Sequence, residues 1–279
     1  MDIVDSPGLL SEVAAEWHRR GSSIGLVPTM GALHEGHRSL IDGAREECDR
    51  VVVSIFVNPI QFSDSNDFDN YPSTTEADLA MCRDAGVDVV FLPLVDQIYP
   101  HGFSTTVHLD GLTDRWEGRD RPGHFDGVST VVTKLLVASR ADVAFFGQKD
   151  FQQCAVVQKL VADLDLPVDI RVRPTVREHD GLALSSRNVR LDSDGRRRAL
   201  ALSASLRHIQ DLFTRGLVES SELVSQGRAV LDAAGLEVHY LEIVDASTLT
   251  PTSPVSADDV VLVAATCDGV RLIDNHRLT

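Results

Sequence analysis

Two histidines, His34 and His37, lie in the segment Pro28-Thr29-Met30-Gly31-Ala32-Leu33-His34-Glu35-Gly36-His37. An apolar run that reads as a strand precedes it, and a helical pattern over 36–47 follows. This spacing at a strand–helix junction sets two imidazoles and several backbone N–H groups at a helix N-terminus, where partial positive charge suits phosphate. Gly36 lets the backbone approach a nucleotide closely. Imidazoles so placed can donate to the β- and γ-phosphates of a nucleoside triphosphate and steady the charge on departing pyrophosphate. The alternative for both rings is to cap the helix.

Other side chains fit the same chemistry. Lys149 follows Gly147 and Gln148 at a predicted strand end, where an ammonium acts as a point charge on phosphate. Asp150 either accepts from ribose hydroxyls or caps the next helix. In Ser185-Ser186-Arg187, two hydroxyls and an always-charged guanidinium can hold a triphosphate from the side opposite His37. Gln61 and Gln153 are amides that donate and accept, suited to a substrate bearing hydroxyls and a carboxylate. Arg121 and His124 are candidates for the same cleft, with a purely structural histidine as the other reading of His124. No Ser-His-Asp or Cys-His constellation points to a covalent intermediate.

The elements that must carry these residues alternate. Apolar runs at 23–27, 51–57, 87–92, 143–146 and 168–172 read as buried strands. Between them, Phe125, Val128, Val132 and Leu135, and again Cys154, Val157 and Val161, recur at helical spacing. Continuous apolar strands separated by helices predict a doubly wound, Rossmann-like α/β domain with a parallel sheet over residues 1–175. After Pro174, two helical candidates (191–215 and 220–234) precede three strand-like runs (238–244, 260–265 and 270–273). They predict a smaller α+β domain over 176–279, placed as a lid, with 248–259 as a loop.

Composition narrows the partners. The 279 residues carry a formal charge of −16 and no basic run, which argues against a nucleic-acid partner. The first residues lack the basic and apolar regions of a secretory signal, and no apolar run approaches the ~20 residues of a membrane span. Cys48, Cys82, Cys154 and Cys267 form no Cys-x-x-Cys pair, so reduced structural thiols and a cytoplasmic location are expected.

Residues 28–37 resemble the nucleotide signature of the pantothenate synthetase family, within the larger His-x-Gly-His superfamily of nucleotidyl-transferring enzymes. Four further segments, 54–62, 121–128, 145–153 and 174–188, resemble that family's other signatures in order, and the match extends to Leu272-Ile273-Asp274-Asn275. The resemblance implies ligation of pantoate to β-alanine through a pantoyl-adenylate, with ATP as substrate, Mg²⁺ as cofactor and a homodimeric enzyme. It implies that ATP is bound by Met30 through His37, Gly147 through Asp150, Val176, and Leu184 through Arg187. His37 maps onto the family's proton donor, and His34, Lys149 and Arg187 join it as catalytic groups. Gln61 and Gln153 map onto the pantoate site, and Gln61 also onto that of β-alanine.

The chain departs from the family in places. Ser73 replaces the arginine of a Tyr-Pro-Arg-Thr sequence, Leu184 a methionine and Phe151 a tyrosine. An acidic pair associated with magnesium is here Ala77-Asp78, leaving Asp78 as the one candidate ligand, with the ion carried in by ATP. Another nucleotidyltransferase would share the histidines and the fold without needing Gln61 and Gln153. A silent nucleotide sensor would have no need of His34, His37, Lys149 and Arg187 together.

Overall fold

Uninterrupted apolar runs build the sheet of the N-terminal half in the computed structural model, which describes residues 1–63 and 65–279. β1 (Asp2–Val4), β2 (Ile24–Thr29), β3 (Arg50–Ile55), β4 (Val89–Phe91), β5 (Val143–Gly147) and β6 (Asp169–Arg173) pair in parallel, in the order β1-β4-β3-β2-β5-β6. The connecting helices are α1 (Pro7–Arg19), α2 (Glu35–Glu47), α3 (Ser65–Asp69), α4 (Thr75–Asp84), α5 (Val95–Ile98), α6 (Glu117–Asp120), α7 (His124–Ser139) and α8 (Phe151–Asp163).

Successive strand side chains point to opposite faces, so alternate residues feed two cores. Leu26, Val52, Phe91 and Phe146 pack with Leu10 of α1, Val128 and Leu135 of α7, and Val157 of α8. Val27, Val53, Val90 and Phe145 pack on the other face with Ile41 and Ala44 of α2 and Cys82 of α4. A parallel sheet covered on both faces is the doubly wound architecture expected from the apolar runs. The short edge strand β1 went unread because two of its three residues are exposed and supply no apolar run.

The chain divides into two units, residues 1–148 with 152–174, and residues 149–151 with 175–279. The second unit contains α9 (Ser193–Ala199), α10 (Ala201–Thr214), α11 (Ser220–Ala233) and the antiparallel strands β7 (Glu237–Val244), β8 (Val260–Cys267) and β9 (Val270–Arg277). Leu202, Leu206, Ile209, Leu223 and Leu231 bury one helical layer against Val261, Val263 and Leu272 of the sheet, an α+β arrangement. The single helix expected over 191–215 is broken at Leu200 into α9 and α10. Asp192 starts the first piece by accepting the Gly195 N–H at 2.7 Å. No helix among the described residues is long and apolar enough to cross a membrane.

Candidate active site

Strand order reverses direction between β2 and β5, since β2 leads to β3 on one side and β5 to β6 on the other. Open α/β sheets hold ligands at the carboxyl ends of such neighbours. The chain leaves β2 there through left-handed turns, with φ +83° at Gly31 and +50° at Ala32. A side chain at Gly31 would meet Asp78 Oδ2 at 3.0 Å. That carboxylate, only 2% exposed, anchors the turn. The N–H groups of Ala32 and Leu33 donate to it at 2.9 and 2.8 Å, and the Thr74 hydroxyl donates at 3.0 Å.

This geometry gives Asp78, the candidate magnesium ligand, a structural role in the loop. Both of its oxygens already accept from the protein, and Ala77 beside it is exposed and offers no second carboxylate. Among the described residues no group of three or more His, Cys, Asp or Glu could hold a metal ion. Asp78 alone does not make a protein-only magnesium site.

His34 is the N-cap of α2. Its Nδ1 accepts the Gly36 N–H at 3.1 Å, and Nδ1 of His37 accepts the His34 N–H at 3.3 Å. The two rings lie with centroids 4.1 Å apart. A nitrogen that accepts a hydrogen bond carries no proton, so each neutral ring holds its proton on Nε2 and is a donor there. Capping therefore takes one nitrogen of each ring and is compatible with a donor role for the other. Glu35 is exposed on the first turn of α2, and Met30 is half-buried before it.

Gln61 ends a 3₁₀ turn, Pro59–Gln61, that follows β3. The buried Asn58 amide donates to its Oε1 at 2.9 Å, and its own NH₂ lies 3.0 Å from Met30 Sδ. Gln61 is thus tied to the loop that leads to the histidines. His124 meets the Gln61 carbonyl at 2.8 Å, so it contacts this candidate residue directly. Gln153 stands half-buried on the first turn of α8. Its neighbour Gln152 is the buried amide, accepting the Glu117 N–H at 3.0 Å and donating to the carbonyls of Leu112 and Arg115 at 2.7 and 2.9 Å.

Lys149 and Asp150 belong to the second unit. The Lys149 ammonium is 3.8 Å from Asp150, and its backbone carbonyl accepts from the Asn275 amide at 2.9 Å. Next to Asn275, buried Asp274 binds Arg177 through two contacts of 2.7 and 2.9 Å. Ser185 caps the 3₁₀ turn Ser186–Arg190 by accepting the Arg187 N–H at 3.3 Å. Asn188 donates to Glu178 at 2.9 Å and to the Ala183 carbonyl at 3.0 Å, and the Leu184 N–H donates to Val176. Lys149, Ser185, Asn188 and Asp274 line one small cavity of about 10 Å³. The second unit therefore gathers Lys149 with the Ser185–Arg187 segment, while the first gathers His34, His37 and Gln61.

Sequence reasoning passed over Asn58, Tyr99, Gln152, Asp274 and Asn275 as working residues. Asn58, Gln152, Asp274 and Asn275 all stand inside the signature segments 54–62, 145–153 and 272–275, and a polar side chain at such a place was the available signal. Tyr99 had no local signal; its hydroxyl donates to Asn58 Oδ1 at 2.7 Å, and burial pushes its pKa well above the usual tyrosine value.

Comparison with known proteins narrows this geometry to one family. Residues 2–277 match the family described as Pantoate-beta-alanine ligase. The pantothenate synthetase of Cereibacter sphaeroides is 52% identical over 262 residues, covering 94% of each chain. That of Koribacter versatilis is 49% identical over 276 residues, covering 99% of this chain and 95% of its own. The structure of pantothenate synthetase from Thermus thermophilus superposes with a TM-score of 0.94 at 43% identity, covering 99% of both chains. Pantoate-beta-alanine ligase from Francisella tularensis, solved in complex with Beta-gamma ATP and β-alanine, gives 0.84 at 34% identity, covering 99% of this chain and 97% of its own. With its fold and nearly its whole length shared, this chain belongs to the pantoate–β-alanine ligase family.

Proposed function

We propose that the chain joins pantoate to β-alanine in two steps at the expense of ATP. The pantoate carboxylate attacks the α-phosphorus, forming an acyl–O–P bond as the bond to pyrophosphate breaks. The amine of β-alanine then attacks the acyl carbon, loses a proton, and expels AMP. The observation that carries this reading is the loop after β2, whose two histidines are fixed as Nε2 donors at a helix N-terminus within a chain of this family.

Aligning a weak nucleophile and neutralising the leaving pyrophosphate are the main tasks. His37 acts as proton donor, and His34, Lys149 and Arg187 supply further positive or donor character. Met30 through His37, Gly147 through Asp150, Val176, and Leu184 through Arg187 are assigned to ATP. Gln61 and Gln153 are assigned to pantoate, and Gln61 also to β-alanine. Magnesium enters as part of the MgATP substrate, because Asp78 is engaged elsewhere. A cytoplasmic homodimer is the form assigned; the acidic charge and four buried cysteines with no disulfide support the location.

Incubation with pantoate, β-alanine and ATP, followed by mass identification of products, tests the reading. Pantothenate, AMP and pyrophosphate in equal amounts are expected. ATP turnover without pantothenate would overturn it.

A further inference from the structure

We propose that the backbone carbonyl of Gly127 sets the hydrogen-bond polarity of Gln61, so that this side chain offers its ligand donors alone and selects an acceptor oxygen. The inference rests on the assignment of Gln61 to the acid substrate and adds the residues that make the assignment selective.

A backbone carbonyl can only accept. The Asn58 side-chain atom 3.1 Å from the Gly127 oxygen is therefore its NH₂. The opposite end, Oδ1, accepts the Tyr99 hydroxyl at 2.7 Å. The second hydrogen of the Asn58 NH₂ goes to Gln61, 2.9 Å away, and the atom receiving it must be Oε1. The Gln61 NH₂ is thereby turned the other way, toward Met30 Sδ at 3.0 Å, which is also an acceptor. Asn58 is 1% exposed and Gln61 8%, so bulk water cannot compensate a reversed amide.

The backbone of Gln61 is seated by the same segment. His124 Nδ1 donates to the Gln61 carbonyl at 2.8 Å, and Arg121 donates to His124 Nε2 at 3.2 Å. A Cβ on Gly127 would lie 2.6 Å from the Cα and N of Gln61, closer than real contacts allow. The segment 121–128 thus acts through Gln61: Gly127 and His124 hold its backbone, and Gly127, Asn58 and Tyr99 orient its amide. A carboxylate or hydroxyl oxygen can meet such a group, and an ammonium cannot. Pantoate satisfies this condition with its carboxylate and hydroxyls, and β-alanine satisfies it only by its carboxylate end.

Two variants and one measurement on the parent protein test this. Gln61→Glu keeps an oxygen for Asn58 and turns a second oxygen toward the ligand. Calorimetric titration with pantoate should show affinity at least 100-fold weaker, while affinity for the ATP analogue AMPPNP stays within threefold. A pantoate loss under fivefold would overturn the proposal. Tyr99→Phe releases Asn58 Oδ1 alone and should raise KM for pantoate about fivefold with kcat unchanged; a fall in kcat at constant KM would count against a positioning role. In the ligand-free parent, nuclear Overhauser contacts should join the Gln61 NH₂ protons to the Met30 methyl. Their absence would overturn the polarity whatever the enzyme does, whereas their presence in a protein that does not bind pantoate would sink the functional reading and leave the polarity standing.

Discussion

At the scale of single residues, each of the two histidines caps α2 through one ring nitrogen, which leaves the other for the proposed donor role. His37 gives Nδ1 to the His34 N–H and keeps its proton on Nε2. His37→Ala should slow pantoate-dependent ATP–pyrophosphate exchange by about two to three orders of magnitude, the usual effect of removing a preorganised donor. The lost cap should lower stability by only about 1 kcal/mol, read from a urea midpoint. Exchange within threefold of the parent would remove His37 from the chemistry. Asp78 makes a contrasting case. Asp78→Asn turns an NH₂ against a backbone N–H of Ala32 or Leu33, donor facing donor. A buried donor left unpaired costs about 1–3 kcal/mol, so KM for ATP should rise roughly tenfold. The magnesium concentration for half-maximal rate at saturating ATP should not move; if it doubles or more, Asp78 meets the ion after all.

At the scale of elements, His34 and Ser185 are held by neighbours two or three residues away, whereas Gln61 and Lys149 are held by partners far along the chain, His124 and Asn275. Strand and helix periodicities were legible because they repeat over a few residues: Val51–Val53 and the Phe125–Leu135 pattern need no distant information. The break at Leu200 was not legible. Ala199 and Ala201 are both buried, and an unbroken helical pattern carries no sign of where packing requires a bend. The Arg177–Asp274 pair belongs to the same class. It joins the start of the second unit to β9 beside Asn275, which holds the Lys149 carbonyl. Removing one partner of a buried pair is strongly destabilising, and Arg177 is only partly covered, so Asp274→Ala should cost about 2–4 kcal/mol. Urea unfolding followed by far-UV circular dichroism would measure it. A midpoint unchanged from the parent would mean that the pair is solvated in practice.

At the scale of the whole molecule, all four cysteines are buried and no disulfide joins them. Burial pushes the thiols of Cys48 and Cys82 up to about 11, so almost no thiolate is present near neutral pH. Ellman's reagent at pH 7.5 should therefore release well under one equivalent from the native protein over minutes, and four equivalents once it is unfolded. Rapid native reaction of two or more thiols would show that these cores open readily. The sequence by itself determined the doubly wound sheet, the α+β second unit and the family, and it supplied the segments proposed for the site. Those properties are written in local periodicity, in turn residues and in short ordered motifs. Only the tertiary structure decided that both oxygens of Asp78 hold the loop after β2, and that the amide of Gln61 takes its direction from Asn58. The bonds responsible run from Asp78 to Leu33 across 45 residues, from Tyr99 to Asn58 across 41, and from Asn58 to Gly127 across 69. A carboxylate or an amide has the same composition whichever partner it meets, and its direction is settled only when folding brings that partner within about 3 Å.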